Sequence, residues 1–182
     1  MPIYISLLRG INVGGHKRIK MELIRASFEK LGFEQVKTYI QSGNVVFKAA
    51  KLAPSKLSGR IEEGILSDFG FSVSVVSRTV DEKAETVGNN PFLKERGVDP
   101  EKLHVMLLTE APAAAALKML TELTATPERS CCLGKDIYLY LPNGAGESIL
   151  MKKPLDRLLS VVTTTRNWRT VNALHQMCQE CR

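Results

Sequence analysis

The sequence predicts an α+β fold that consists of two ferredoxin-like halves in tandem. Two observations carry this prediction: the order strand, helix, strand, strand, helix, strand occurs twice, and a connector rich in turn-forming residues separates the two occurrences. We therefore expect a first half over residues 1–80, a connector over residues 81–102, and a second half with a C-terminal helix over residues 103–182. Each half should form an antiparallel sheet with helices packed on one face.

The first half begins with "IYISLLR", a branched and aromatic run that ends at a glycine and predicts a strand. "MELIRASFEKLGF" predicts a helix that ends at Gly32, because Leu23, Ile24, Phe28 and Leu31 recur at helical spacing. "VKTYIQSGNVVF" predicts a hairpin in which Gly43 and Asn44 supply positive φ angles. "SKLSGRIEEGILSDFGF" and "SVSVVSR" predict the second helix and the fourth strand.

The second half repeats this order after a short predicted helix at residues 81–87. "LHVMLLT" predicts a strand, "APAAAALKMLTEL" a helix, and the run at residues 126–132 with "GKDIYLYLP" two more strands. "ESILMKKPLDRLLSV" predicts a helix that bends or starts at Pro154, because a proline inside a helix loses a hydrogen bond. "VVTTT" and "NWRTVNALHQMCQEC" predict the last strand and the closing helix.

The predicted topology brings two loops of the first half together. One helix lies between the first and second strands, so both strands run the same way and their following loops emerge at one edge of the sheet. We expect residues 9–20 and residues 41–44 to be neighbours there. The corresponding loops of the second half, "TEAP" and "CLGKD", lack the glycines and the basic cluster, so a site of this kind would be confined to the first half.

Composition indicates a soluble cytoplasmic protein. No apolar run approaches the roughly 18 residues that span a bilayer, and the N-terminus lacks the features of a signal peptide. The four cysteines, at positions 131, 132, 178 and 181, are expected to be free thiols, because a chain of 182 residues needs no disulfide to complete its core. The formal net charge of +6 weakly favours polyanionic partners.

Four motifs together resemble a bacterial family, domain of unknown function 1697. They are "RGINVGG", "TYIQSGNVVF", "NPF" and "TTTRNW", and they run in the family's order from residue 9 to residue 168. The resemblance implies two ferredoxin-like halves and implies no activity. The basic segment after Gly15 and the C-terminal cysteines match no motif of that family, so any chemistry there would be particular to this chain.

The segment "LRGINVGGHKRIKM" is the strongest candidate for a binding site. Its basic or potentially basic side chains are Arg9, His16, Lys17, Arg18 and Lys20. The glycine spacing resembles a nucleotide-binding P-loop, but "HKR" replaces the required Lys-Ser/Thr, which excludes a P-loop triphosphatase. What stays open is either a turn with solvated charges or an anion site that combines backbone N–H groups, the start of a helix and the cations Arg9 and Lys17.

Two further segments carry polar groups that could contact a ligand. "QSGN" is either a simple hairpin turn or a source of polar groups beside the glycine loop. "TTTRNWRT" contains either a core tryptophan with solvent-exposed arginines beside it or a cluster that stacks on a base and binds phosphate. Thr165 or Asn167 could cap the helix that follows. The predicted ligand-binding residues of all three segments are Arg9, Gly10, Asn12, Gly14, Gly15, Lys17, Gln41, Ser42, Asn44, Arg166, Asn167 and Trp168.

No metal, cofactor or catalytic group is predicted. His175, Cys178 and Cys181 offer soft ligands on the closing helix without an evident fourth, and the adjacent Cys131 and Cys132 should point to opposite faces of a strand. Ser42 as a nucleophile lacks a visible base.

These features lead to one preferred function and two alternatives. The preferred function is binding of a phosphate-bearing ligand, a nucleotide or a nucleic acid, at the glycine-rich edge of the first half. The alternatives are an enzyme that acts on a phosphorylated small molecule at the same edge, and a protein-interaction module. No sequence feature selects the enzyme, because no pair of titratable groups can be given separate catalytic roles.

Overall fold

The structure, a computed structural model, describes residues 1–15 and 17–181. The chain forms two compact units. Unit 1 is Met1–Glu85 together with the end of the chain from Ala173, and unit 2 is Thr86–Asn172. Within the described residues, no helix is both long and apolar enough to cross a bilayer.

Unit 1 contains a four-stranded antiparallel sheet with the order β2-β3-β1-β4. Its elements are β1 (Ile3–Leu8), α1 (Met21–Lys30), β2 (Glu34–Tyr39), β3 (Asn44–Lys48), α2 (Pro54–Phe69), β4 (Val75–Thr79) and the start of α3 (Val80–Gly88). This order places β1 between β3 and β4, so the loop after β1 has the β2–β3 hairpin on one side and the start of β4 on the other.

The helices α1 and α2 bury their apolar faces against one side of this sheet. Ile24 and Phe28 of α1 and Leu57, Ile61 and Ile65 of α2 are completely buried in one core with the inward residues of the strands. The ring of Phe28 meets that of Phe47 on β3 edge to face, with centroids 5.2 Å apart. Leu23, which shares the helical spacing, faces solvent and is 51% exposed, because it lies off the buried stripe.

Unit 2 repeats the architecture with the sheet order β6-β7-β5-β8. Its elements are β5 (Leu103–Leu108), α4 (Ala114–Leu123), β6 (Arg129–Leu133), β7 (Asp136–Tyr140), α5 (Leu155–Leu159), β8 (Thr163–Asn167) and the start of α6 (Trp168–Glu180). The helix α5 begins directly after Pro154, as the sequence predicted. The predicted α+β fold with two four-stranded antiparallel sheets and a C-terminal helix is confirmed.

The fourth strands of the two units correspond residue by residue. Arg78 on β4 pairs with Ile5, and Arg166 on β8 pairs with Val105 at the equivalent position. Each arginine donates from Nη1 to the carbonyl oxygen of the residue before it, at 3.1 Å for Arg78 and 2.9 Å for Arg166. The repeat therefore extends to the details of side-chain contacts, although the two halves share little sequence.

Each fourth strand passes directly into a capped helix. Thr79 and Glu82 form a reciprocal capping pair at the start of α3, with distances of 2.9 and 3.1 Å, and Asn167 caps α6 by accepting from the backbone N–H of Thr170 at 2.8 Å. The two compact units divide the chain at other residues than the two expected halves do. Residues 81–85, expected in the connector, belong to unit 1, and so does α6 from Ala173 onward.

Candidate functional site

Asn12 holds the loop after β1 in a fixed shape. Its side-chain Nδ2 donates to the carbonyl oxygens of Ile19 and Gln41, both at 2.9 Å, and its Oδ1 accepts from the backbone N–H of Ile19 at 2.8 Å. The residue has φ +56°, a left-handed conformation that asparagine tolerates better than most residues. The loop and the β2–β3 hairpin are therefore joined, and both donors of the Asn12 amide are used inside the protein.

Gly43 allows the hairpin to approach this loop closely. It has φ +70°, and its carbonyl oxygen accepts from the backbone N–H of Leu8 at 2.8 Å. A Cβ at Gly43 would lie 2.8 Å from the Cβ of Leu8 and 2.9 Å from side-chain carbons of Ile11, closer than real Cβ contacts come. Glycine is thus required here by both conformation and space.

The remaining turn geometry differs from the sequence expectation. Asn44 does not have a positive φ; it begins β3, is fully buried and donates from Nδ2 to the carbonyl oxygen of Tyr39 at 3.1 Å. The second positive φ angle of this turn belongs instead to Ile40, at +48°. This conformation is strongly unfavourable for a β-branched residue. Ile40 is also 51% exposed, so it is not a core residue whose full burial could offset this strain.

An open cleft lies between the loop and the hairpin. It has a volume of about 520 Å³ and is lined by Asn12, Arg18, Ile19, Lys20 and Gln41; we call it the loop–hairpin cleft. Arg18 and Lys20 are exposed, and neither side chain has a hydrogen-bond or ion-pair partner among residues 1–15 and 17–181. The lining contains two cations and no carboxylate.

Gly15 and the start of α1 lie next to residues that line the loop–hairpin cleft. The Nη2 atom of Arg18 lies 3.6 Å from where a Cβ of Gly15 would be, so its guanidinium rests against the glycine backbone. Gly14 and Gly15 are exposed, with φ +60° and +81°. The helix α1 follows Lys20 without a side-chain cap, and Glu22 is the acidic residue in its first turn.

Arg9 and Lys17 point to a different cleft. They line a cavity of about 620 Å³ with Gly59, Glu62, Glu63 and Leu66 of α2, and with Gly10 and residues 72–74; we call it the loop–helix cleft. Lys17 Nζ donates to the carbonyl oxygen of Ser72 at 2.6 Å and lies 5.8 Å from the centre of the Phe71 ring. The basic residues predicted as one cluster therefore divide between two clefts.

The other predicted residues of this edge differ in how exposed they are. Gly10 is exposed with φ +68°, and Gln41 is exposed beside the loop–hairpin cleft. Ser42 is half-buried in the hairpin turn. His16 lies outside the described residues.

Residues 1–138 resemble a known protein family. These residues match the family described as "Protein of unknown function (DUF1697)". The chain belongs to this family. The motifs "RGINVGG", "TYIQSGNVVF" and "NPF" fall inside the matched residues, whereas "TTTRNW" lies beyond them.

A solved structure shows the same fold. This DUF1697 chain is 25% identical to the conserved bacterial protein SP0830 from Streptococcus pneumoniae, with a TM-score of 0.77 and coverage of 97% of this chain and 98% of that one. The similarity spans both units. No curated protein is significantly similar to the chain.

In this DUF1697 member, Arg166, Asn167 and Trp168 lie in unit 2 and have roles in folding. The Arg166 guanidinium donates to Thr164 Oγ1 at 2.8 Å and to the Thr165 carbonyl, and burial lowers its pKa to about 10. Asn167 caps α6, as the sequence suggested. Trp168 is only 8% exposed at the start of that helix, which agrees with a core anchor better than with a stacking platform.

The cysteines and histidines do not assemble a metal site in the part of the chain that is described. No group of three or more His, Cys, Asp or Glu side chains there is placed to hold a metal ion. Cys178 and Cys181 are buried, and burial raises the pKa of the Cys132 thiol on β6. Burial likewise lowers the pKa of His104 on β5.

Sequence reasoning found the loop but missed the division of its cations. The sequence places Arg18 and Lys20 in the basic segment, but the predicted ligand contacts do not include them. The observed strand order explains this division, since the central β1 has one neighbouring strand on each side. The loop after it can therefore turn some side chains toward the β2–β3 hairpin and others toward α2 and residues 72–74, as Lys17 does.

Proposed function

We propose that the protein is a cytoplasmic binding protein that takes the phosphate groups of a nucleotide or a nucleic acid in the loop–hairpin cleft. The observation that supports this most is the pair Arg18 and Lys20. Both are exposed at a cleft without carboxylates, and neither has a partner among the described residues. Arginine and lysine in such a setting favour a phosphate, which an arginine can bind through two parallel hydrogen bonds.

The rigidity of the cleft strengthens the proposal. Asn12 fixes the backbone at Ile19, directly after Arg18, and at Gln41 in the hairpin through its three side-chain hydrogen bonds. A site whose backbone is already ordered loses less conformational entropy when a ligand binds. Gly14 adds backbone with open space where a side chain would be, and the Arg18 guanidinium already lies beside Gly15.

The strained Ile40 adds an independent argument. Ile40 is a β-branched residue at φ +48°, and its side chain is half exposed rather than buried in the core. Strained backbone of this kind concentrates at functional sites. Ile40 adjoins Gln41 of the cleft, and the exposed Val13 adjoins Asn12, so a ligand larger than a phosphate ion could add apolar contacts to the charged ones.

Fluorescence anisotropy with a labelled single-stranded oligonucleotide tests the proposal. We expect binding to the wild-type protein, and a loss of affinity of about tenfold for Arg18→Gln and for Lys20→Gln, since a hydrogen bond to a charged group contributes about 1.5–3 kcal/mol. Lys37→Gln, on the exposed side of β2, is the matched control and should bind as the wild type does. The proposal is wrong if neither the oligonucleotide nor competing ATP binds, or if both variants bind unchanged.

The salt dependence separates the two kinds of ligand. A nucleic acid that contacts several phosphates should lose affinity steeply as salt concentration rises, whereas a mononucleotide should show a shallow slope. Competition by unlabelled ATP at concentrations comparable to those of the oligonucleotide would favour the mononucleotide.

A further inference from the structure

The loop–helix cleft is chemically unlike the loop–hairpin cleft. One wall carries Arg9 and Lys17, and the opposite wall, formed by α2, carries Glu62 and Glu63. A phosphate in this cleft would meet two carboxylates as well as two cations. The cleft is instead suited to a ligand that has one negative and one positive group.

The wall on α2 is one face of the helix. Gly59, Glu62, Glu63 and Leu66 follow the spacing i, i+3, i+4 and i+7, which places them on neighbouring turns of one side. Glu62 Oε1 already accepts from the backbone N–H of Val75 at 2.8 Å, so this carboxylate is held in place. Glu63 is exposed and has no partner within the described part of the chain, and Leu66 is 48% exposed beside it.

Gly59 is not explained by folding. A glycine inside a helix costs about 1 kcal/mol relative to alanine, and Gly59 has neither a positive φ nor any atom within 4 Å of its absent Cβ. Gly64 on the same helix is a useful contrast, because a Cβ there would lie 3.0 Å from the side chain of Leu31, the residue directly after α1, and this close packing explains the glycine. Gly59 keeps the floor of the cleft open, one turn before the two glutamates.

The opposite wall can receive a carboxylate. Lys17 Nζ uses one of its three N–H donors on the Ser72 carbonyl and is held there at 2.6 Å, so its remaining donors are positioned without further loss of side-chain freedom. Arg9 lines the same wall.

We propose that the loop–helix cleft binds a free α-amino acid with an apolar side chain. Its carboxylate pairs with Lys17 and Arg9, its ammonium group pairs with Glu63 and Glu62, and its side chain lies on Leu66 above Gly59. This site is independent of the proposed phosphate site, because the two clefts share no lining residue.

The test is a nuclear magnetic resonance titration with L-leucine, N-acetyl-L-leucine and L-leucinamide. The two analogues each retain one of the two charges of leucine. We expect L-leucine to shift the amides of residues 59–66 and 72–74 below about 10 mM, and each analogue to bind at least about tenfold more weakly. Shifts that are absent at about 10 mM leucine, or equal affinity for the analogues, overturn the proposal.

Variants test which residues bind the ammonium group of the ligand and which bind its carboxylate. Glu63→Gln should weaken leucine binding at least about fivefold and leave the affinity for N-acetyl-L-leucine unchanged, whereas Lys17→Gln should spare the affinity for L-leucinamide. Gly59→Met should raise the melting temperature, because it removes a helix glycine, while it abolishes leucine binding by filling the floor. Glu29→Gln, exposed on α1, is the matched control. Unchanged leucine binding in both Glu63→Gln and Gly59→Met would contradict the assignment.

Discussion

Asn12 Nδ2 donates to the carbonyl oxygen of Gln41 at 2.9 Å, and this bond ties the loop after β1 to the β2–β3 hairpin. Within the loop, the same amide satisfies both the N–H and the carbonyl of Ile19. One side chain thereby replaces the backbone pairing that an irregular loop lacks. The candidate phosphate site depends on this residue for its shape rather than for contact with a ligand.

Asn12→Asp should destabilise unit 1. Aspartate tolerates the left-handed conformation and keeps an acceptor for Ile19 N–H, but it puts an oxygen opposite the carbonyls of Ile19 and Gln41. We expect the free energy of unfolding in urea to fall by about 1–3 kcal/mol, the cost of leaving such groups without donors. Asn143→Asp, in an exposed turn, is the control and should be nearly neutral. Equal effects of the two substitutions would show that the Asn12 amide contributes nothing specific.

Gly43→Ala and Gly14→Ala should separate conformational strain from steric clash. Both glycines have positive φ, but a Cβ at Gly14 meets nothing within 4 Å, whereas a Cβ at Gly43 meets Leu8 and Ile11 at under 3 Å. We expect a cost of about 1–2 kcal/mol for Gly14→Ala, and a further cost of about 1–3 kcal/mol for Gly43→Ala from overpacking. Denaturant unfolding measures both. A Gly43 variant no less stable than the Gly14 variant would contradict the close approach of hairpin and loop.

Asp68 links α2 to α1 in a way that depends on pH. Its carboxylate accepts from Lys30 Nζ at 2.6 Å and from Ser27 Oγ at 2.7 Å, and these two hydrogen bonds lower the pKa of Asp68 below 3.8. A carboxyl whose pKa is lower in the folded state contributes stability above its ordinary pKa and loses it as the pH falls through the folded value. The contribution should therefore be complete at neutral pH.

Asp68→Asn is expected to reduce the free energy of unfolding at pH 7, and the difference from wild type should shrink as the pH falls below 3.8. Urea unfolding of both proteins across the acid range measures this difference. Glu29→Gln serves as a control on the exposed face of α1. A difference that stays constant with pH would show that the carboxylate charge is not responsible.

Metal chelation should leave the melting temperature unchanged. Cys178 and Cys181 are buried on the closing segment of unit 1, where thiols pack as small apolar groups. A structural zinc site would make its binding energy part of the folding energy. A fall of several degrees when EDTA is added to protein purified without metal would overturn this expectation.

The elements of this fold could be predicted because their signals are local. The apolar spacing of Ile24 and Phe28 defines α1, Gly32 ends it, and Gly43 marks the hairpin. The strained Ile40 could not be predicted, since a β-branched residue argues against a positive φ and only the joined loop and hairpin impose it. Local signals also did not show that the start of α3, up to Glu85, lies in unit 1.

The candidate site was predictable as a region but not as a set of contacts. Strand order implied that the glycine loop and the hairpin would meet, and they do through Asn12 and Gln41. The direction of each basic side chain depends on backbone and side-chain torsion angles at single residues; Lys17, for example, has φ +47° and reaches the carbonyl oxygen of Ser72. Sequence spacing carries no information about such angles, so Arg9 and Lys17 were grouped with residues that the structure places at another cleft.

The phosphate site is tested most directly by a nuclear magnetic resonance titration of the wild-type protein with inorganic phosphate and then with ATP. We expect amide shifts confined to residues 12–15, 18–22 and 41, saturating at millimolar concentration or below, and their loss in the double variant Arg18→Gln/Lys20→Gln. Absence of these shifts up to about 20 mM of either ligand, or the same shifts in the double variant, would contradict the account.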